Sequence, residues 1–283
     1  MSDVRTIAVL GAGTMGHGIA HAAAASGYET RLFDVNESAL ARARDQIASV
    51  FRKAVELGKT AAADADAGLA RLATTSDVAE AVQDCDLVIE AAPERIDLKL
   101  RLMADVDRLA PSGAVIATNT SALSITEIAG SMANPARVAG MHFFNPVHKM
   151  KLIEIVRALE SSPATLETIE AVSKRMGKET VLVRESPGFI TSRVNASIGN
   201  EAFYMLMEGV ASARDIDKAL KLGLNHPMGP FELVDLVGLD TRLSILEYLQ
   251  KSLGEKYRPC PLLAQYVKAG RLGKKVGKGV YDY

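Results

Sequence analysis

The 283-residue sequence has no tryptophan, only two cysteines and an aromatic content of 5%. Cys85 and Cys260 lie far apart in the chain, so no disulfide framework is available. A reducing compartment, the cytoplasm, suits such a chain. Charge of one sign is also missing: 33 basic residues oppose 34 acidic ones, for a net charge of −1. That balance gives no electrostatic case for nucleic acid or an anionic membrane surface. No run of about 20 apolar residues is present, so no membrane-spanning helix is expected. No basic region precedes the first apolar run, so no signal peptide is expected either. What is present in quantity is apolar surface. Hydrophobic residues make up 48% of the chain, enough for a full core in one large or two ordinary domains.

The strongest local pattern is at the start. Ile7, Val9 and Leu10 form a short apolar run, followed at once by Gly11-Ala12-Gly13-Thr14-Met15-Gly16, and then by an Ala-rich helical stretch. In the order G-x-G-x-x-G, the first glycine permits a tight turn out of a strand. The second lets the backbone approach a pyrophosphate, and the third lets helix and strand pack closely. The helix start then offers free N–H groups and a positive dipole end to phosphates. Asp34 ends the next apolar run, about 20 residues on, where a carboxylate can accept from ribose hydroxyls. The same carboxylate repels a 2′-phosphate, which favours NAD over NADP. Arg31 and Arg42 lie close enough in sequence to keep NADP in view.

The chain then alternates. Residues 37–57 read as a long amphipathic helix with Leu40, Ile47, Val50, Phe51 and Val55 inward, stopped by Gly58. Helical propensity resumes over 60–69, giving a helical hairpin that a plain nucleotide-binding unit does not need. Its polar face, with Arg42, Arg44, Ser49, Arg52, Lys53 and Lys59, is either a solvated face or a platform for an anionic substrate tail. Strands are expected at 72–75, 85–90, 114–118, 137–143, 151–156 and 180–183, with helices between. This implies a doubly wound, mostly parallel α/β sheet of Rossmann type. Ligands of such sheets bind beyond the carboxyl ends of the strands. That topology puts Glu90, Glu94, Asn119, Thr120 and Ser121 at the mouth of the site. Beyond Glu185-Ser186-Pro187-Gly188 the alternation stops, and helices are expected at 189–209, 212–222, 230–252 and 260–269. The expected domains are therefore 1–185, which binds the dinucleotide, and 186–283, which is all-α. The run Phe203-Tyr204-Met205-Leu206-Met207 is apolar nearly all round, and packing against a second subunit is expected for it.

An enzyme that oxidises an alcohol with a nicotinamide needs a base for the hydroxyl proton, and imidazole titrates in the right range. Of the five histidines, His17 and His21 fall on the first helix, His148 is flanked by charge, and His226 sits in a turn-like Asn-His-Pro. His142 ends a strand at the ligand-binding edge, ahead of Asn145-Pro146. A base needs an orienting group. Glu154 is a lone acid in the apolar run Leu152–Val156, where a carboxylate is costly unless paired. A His142–Glu154 pair meets both needs. Ser121 and Asn145 are then natural donors to substrate oxygens or to the nicotinamide amide. Two other readings share parts of this pattern. One is a dehydrogenase of a free hydroxy acid or sugar acid, and the other a non-catalytic NAD-binding module.

On these residues the chain resembles the L-3-hydroxyacyl-CoA dehydrogenase family. The matching pieces are Gly11–Gly16, Asp34, Glu90-Ala-Ala-Pro-Glu94, Asn119-Thr-Ser121, His142-Phe-Phe-Asn-Pro146, Pro187-Gly-Phe189, Pro227-Met-Gly-Pro-Phe-Glu232 and Gly273–Tyr281. The resemblance implies interconversion of an L-3-hydroxyacyl-CoA, short-chain such as 3-hydroxybutyryl-CoA, and a 3-oxoacyl-CoA with NAD. It implies His142 as acid/base, Glu154 as its partner and Ser121 as a donor near the substrate. It also implies Glu94, Lys99, Asn119, Ser121, Asn145 and Lys275 around the cofactor. The hairpin at Ser49, Lys53 and Lys59 would meet the CoA tail, and the helical domain would form a homodimer. One position departs from the pattern. Where the family usually places an Asn, three residues after Phe189, this chain has Ser192, a shorter group near the substrate carbonyl.

Overall fold

The computed structural model describes residues 4–283, in two compact units that divide between Ser186 and Pro187, one residue past the expected boundary. In the first unit, strands β1 (Thr6–Leu10), β2 (Glu29–Phe33), β3 (Leu72–Thr75), β4 (Leu87–Glu90), β5 (Val115–Thr118), β6 (Val138–Phe143), β7 (Leu152–Arg157) and β8 (Glu179–Arg184) form one sheet. Its spatial order is β3-β2-β1-β4-β5-β6-β7-β8. Every neighbouring pair is parallel except β6 with β7. The helices are α1 (Thr14–Ala25), α2 (Glu37–Glu56), α3 (Ala62–Ala70), α4 (Val78–Val82), α5 (Ile96–Leu109), α6 (Ile125–Gly130) and α7 (Pro163–Arg175). Strands β4, β5 and β6 are buried throughout their lengths, as expected of a parallel sheet covered on both faces.

The inserted hairpin is made by α2 and α3. Asn36 caps α2 by accepting from the Ser38 and Ala39 N–H groups. Leu40, Ile47 and Phe51 are buried, while Val50 and Val55 are only partly so. A Cβ at Gly68 of α3 would come within 2.6 Å of the Phe51 ring, so glycine is what lets the two helices close. Ser49, Lys53 and Lys59 all lie exposed on the outer face.

The second unit is helical: α8 (Thr191–Met207), α9 (Ala213–Gly223), α10 (Pro230–Val237), α11 (Leu239–Leu253) and α12 (Pro261–Lys268). The single helix expected over 230–252 is two helices, broken at Gly238, whose φ of 108° no helix accommodates. The apolar run 203–207 of α8 is covered only in part within its own unit. Phe203 is fully buried, edge-on to Phe231 at 5.2 Å between ring centroids and near Tyr266 at 5.9 Å. Tyr204, Met205 and Leu206 pack on the same core, and only Met207 is exposed. The unit's own helices cover Phe203 fully and the next three residues in part. Two buried carboxylates clamp the chain end. Asp217 accepts from Tyr281 Oη at 2.7 Å, and Asp235 accepts from the Val280 and Tyr281 N–H groups and from Tyr283 Oη. Burial raises the Asp217 carboxyl above the usual range.

Candidate active site

The site is assembled at the carboxyl ends of β1, β4, β5 and β6. The glycine turn leaves β1 and starts α1. Gly11 has φ of 110°, and a Cβ there would meet Ala91 O at 2.7 Å; a Cβ at Gly16 would lie 1.6 Å from Gly11 O. Both positions are therefore closed to any other residue. Gly13 is different: a Cβ there would meet nothing within 4 Å, so its outer side is open to an approaching ligand. Among the described residues no side chain caps the start of α1, which leaves its first N–H groups for an anion. Asp34 is tied to the turn directly, since Oδ2 accepts from Ala12 N at 2.8 Å and Oδ1 from Asn36 N at 2.9 Å. A carboxylate has about four acceptor positions, so it can still receive ribose hydroxyls. The two arginines that kept NADP in view are engaged elsewhere. Arg31 donates to Glu80 O and pairs with Asp84 at 3.1 Å, and Arg42 donates to Ser38 Oγ. An open glycine turn, an uncapped helix start and a carboxylate on the turn fit a dinucleotide without a 2′-phosphate.

The second part of the site comes from the one antiparallel pairing. Because β7 runs back along β6, Glu154 falls directly opposite His142 in the register. His142 Nδ1 is 2.7 Å from Glu154 Oε2. His142 is 4% exposed and Glu154 0%. A charge-assisted bond of this length, held between paired strands, fixes the ring. With Glu154 ionised, Nδ1 carries the shared proton and Nε2 is the ring atom that exchanges one. Phe144 packs on the imidazole at 4.6 Å between ring centroids.

The loop after β5 joins these two parts. Asn119 Oδ1 accepts from Phe143 N at 2.8 Å, which ties the loop to the His142 strand. Glu94 Oε1 accepts from Thr120 Oγ1 at 2.6 Å, Ser121 N at 2.8 Å and Ala122 N at 3.2 Å. Ser121 remains partly exposed and Asn145 exposed. Of the residues expected at the mouth, Glu90, Asn119 and Thr120 are instead buried beneath it. Lys99 is likewise not in the lining. It is 1% exposed, with Nζ 2.6 Å from Glu90 Oε1. Nothing in the residue pattern signals this buried pair, because a lysine on an amphipathic helix reads as solvated. Thr118, which donates to Glu90 Oε2 at 2.5 Å, was missed for the same reason: its strand looked merely apolar.

Two expected site residues belong to the second unit. Ser192 lies half-buried in the first turn of α8, and Lys275 is held by Asp240 at 2.6 Å. His21, on the first helix, is half-buried, and among the described residues neither of its buried ring nitrogens has a hydrogen-bond partner. Its ring packs on Phe51 at 4.4 Å, and burial with the nearby cations His148, His17 and Lys178 lowers its pKa to about 4.

A nucleotide-binding α/β sheet with a buried His–Glu pair at its carboxyl edge defines an NAD-dependent oxidoreductase. The comparisons with known proteins carry this further. Residues 6–186 match the 3-hydroxyacyl-CoA dehydrogenase NAD binding domain and residues 188–283 the 3-hydroxyacyl-CoA dehydrogenase C-terminal domain. The chain belongs to the 3-hydroxyacyl-CoA dehydrogenase family. It is 42% identical to a 3-hydroxybutyryl-CoA dehydrogenase of Clostridioides difficile, over 98% of this chain and 99% of that protein. A 3-hydroxybutyryl-CoA dehydrogenase of Bradyrhizobium diazoefficiens is 40% identical over 99% of this chain and 96% of its own length. The crystal structure of (S)-3-hydroxybutyryl-CoA dehydrogenase from Ralstonia eutropha superposes with a TM-score of 0.95 at 41% identity, covering 99% of both chains.

Proposed function

We propose that this enzyme interconverts an L-3-hydroxyacyl-CoA with a short acyl chain, such as 3-hydroxybutyryl-CoA, and the corresponding 3-oxoacyl-CoA. The observation that carries the reading is the His142–Glu154 pair at 2.7 Å, buried at the edge where the glycine turn would set a cofactor. Bound NAD supplies the acceptor or donor of the hydride at C3. His142 Nε2 takes the 3-hydroxyl proton in oxidation and returns it to the growing alkoxide in reduction. Glu154 holds the ring by Nδ1 and stabilises the imidazolium that forms in oxidation and is spent in reduction. Ser121, Asn145 and Ser192 are the candidate donors to the substrate oxygens or the nicotinamide amide. Asn119 acts by tying the Ser121 loop to the His142 strand. Asp34 and the Gly11–Gly16 turn hold the adenosine and pyrophosphate, and Glu94 and Lys275 complete the cofactor surroundings. The exposed Ser49, Lys53 and Lys59 on the hairpin meet the anionic CoA tail.

The second unit offers a dimer surface away from the expected 203–207 run. Ile190, Val194, Leu222, Leu224, Leu236 and Val237 are exposed apolar side chains of that unit. We place the protein as a homodimer, in a reducing compartment consistent with two buried free cysteines. No helix among the described residues is long and apolar enough to cross a membrane. The test of the reaction is NADH oxidation with 3-oxoacyl-CoAs of graded chain length beside free acetoacetate. The CoA esters are expected to react, the shortest fastest. Activity confined to free acids would refute the reading and favour a hydroxy-acid dehydrogenase.

A further inference from the structure

The loop that carries Ser121 is held at both ends. At its start Glu94 gathers Thr120 Oγ1, Ser121 N and Ala122 N. At its end a second carboxylate, Glu185, accepts from Ser124 Oγ at 2.7 Å and from Thr126 N at 2.9 Å, and Thr126 Oγ1 also donates to it. The two hydroxyls each have a further role. Ser124 Oγ accepts from Glu127 N and Thr126 Oγ1 from Leu159 N, so both hydrogens are free to point at Glu185. Three donors on one side chain call for an acceptor-only group, which an ionised carboxylate is and an amide is not. Capping alone does not explain it. Helix α6 already has Ser124 as its N-cap, and Glu185 comes to it from 59 and 61 residues along the chain. Its own N–H donates to Arg157 O at 3.1 Å, so the carboxylate stands at the last rung of the β7–β8 ladder. The first unit ends at the next residue, Ser186. The connection that follows is stiff. Pro187 has a fixed φ, and Gly188 and Phe189 have φ of 73° and 49°. A phenylalanine in the left-handed region costs about 1 kcal/mol or more and persists only where its surroundings hold it; Phe189 is buried. Glu185 thus joins the root of a stiff connection to a loop in which Ser121 lies three residues before Ser124.

We propose that Glu185 is a positioning residue, which clamps the Ser121 loop to the root of the connection between the two units, so that Ser121 keeps its place only while the clamp is closed. It acts through Ser121, whose part in the reaction is the one proposed above. A purely structural carboxylate, by contrast, would serve the start of α6 alone.

Opening the clamp from either side separates the two. Glu185→Gln removes the acceptor, and Thr126→Val keeps the carboxylate and removes one donor. Amide hydrogen exchange of the full chain, read by mass spectrometry, compares residues 120–123 with residues 125–130 in wild type and both variants. The amides of 120–123 are expected to exchange about tenfold faster in each variant, as local opening of the loop becomes easier. In turnover with acetoacetyl-CoA, kcat of Glu185→Gln is expected to fall about tenfold, and to fall no further when the change is made in a Ser121→Ala background, as for two residues that act as one unit. Faster exchange confined to 125–130 would overturn the proposal, as would wild-type exchange of 120–123 in both variants. An equal loss in kcat with and without Ser121 would overturn it too, and so would a wild-type kcat. Should Glu185→Gln fail to fold, Thr126→Val carries the same readings alone. The turnover arm rests on the reaction proposed above and the exchange arm does not. A wild-type enzyme inert toward acetoacetyl-CoA would refute that reaction and leave the exchange pattern to decide on the clamp.

Discussion

Replacing Glu154 by glutamine keeps the shape of the side chain and one oxygen acceptor for His142 Nδ1, and removes one negative charge. The effect can be sized from the geometry. The bond is 2.7 Å long, which sets the centres of the two charges about 4 Å apart. At an effective dielectric of about 20, an imidazolium and a carboxylate at that distance attract by about 4 kcal/mol. A glutamine carbonyl retains roughly half of this through its dipole and hydrogen bond, leaving a loss of about 2 kcal/mol. One kcal/mol of barrier is worth about a fivefold change in rate, so kcat for oxidation of the 3-hydroxyacyl-CoA, the direction that forms the imidazolium, should fall roughly 30-fold. NADH affinity and substrate KM should stay within about twofold, because Glu154 is fully buried behind the imidazole. Reduction needs the imidazolium. Without the carboxylate that form is less favoured, so the alkaline fall-off of the reductive rate should move to lower pH. The assays are NAD reduction with 3-hydroxybutyryl-CoA for the loss in kcat and NADH consumption with acetoacetyl-CoA across pH 5 to 10 for the profile, for wild type and variant. A kcat within twofold of wild type, with an unmoved profile, would refute the role given to the pair.

Three other outcomes follow from groups outside the reacting pair. His21 has its pKa lowered to about 4 by burial and neighbouring cations. Between pH 6.5 and 4 the unfolded chain therefore binds a proton that the folded chain refuses, so this residue's contribution to stability falls as pH falls, by about 3 kcal/mol in full. His21→Gln should remove that dependence, seen as a narrowing gap between the two unfolding curves from pH 7 to pH 4. Arg242 is 2% exposed, and among the described residues its Nε has no hydrogen-bond partner. Arg242→Met should stabilise the fold by about 1–3 kcal/mol, read as a higher thermal midpoint; a lower one would mean that a partner absent from the single chain pairs with the guanidinium. Asp34→Ser should narrow the preference for NADH over NADPH by about tenfold in kcat/KM, since the repelling carboxylate is gone. An unchanged ratio would assign the discrimination to other groups.

Much of the site was legible because its demands are local. Gly11 and Gly16 are required by backbone contacts within one turn, and the order of glycines states that directly. His142 and Glu154 were legible as a lone base at a strand end and a lone acid inside an apolar run, two residues that make sense only together. What the sequence did not carry is the pairing direction: the antiparallel turn of β7 is what brings Glu154 across from His142. Burial of charge was equally hidden. Glu90 sits at a strand end and Lys99 on an amphipathic helix, and each pattern by itself describes a solvated group. Only the meeting of α5 with the end of β4 turns them inward, Lys99 Nζ lying 2.6 Å from Glu90 Oε1. Gly238 was read through because an isolated glycine in a helical pattern is usually tolerated; here its backbone conformation ends one helix and begins the next. The apolarity of the 203–207 run is continuous around the helix, and Phe231, Leu246 and Leu263 of the same unit belong to the core that takes up Phe203 and part of the next three residues.

The most direct test of the central claim is NADH oxidation by acetoacetyl-CoA with His142→Ala, alongside NADH binding to the same variant. The base should contribute about 10²–10⁴-fold in rate, so turnover should fall by at least a hundredfold while NADH still binds within about twofold of wild type. A variant that binds NADH normally and turns over at the wild-type rate would contradict the account, since the proton would then be handled by another group.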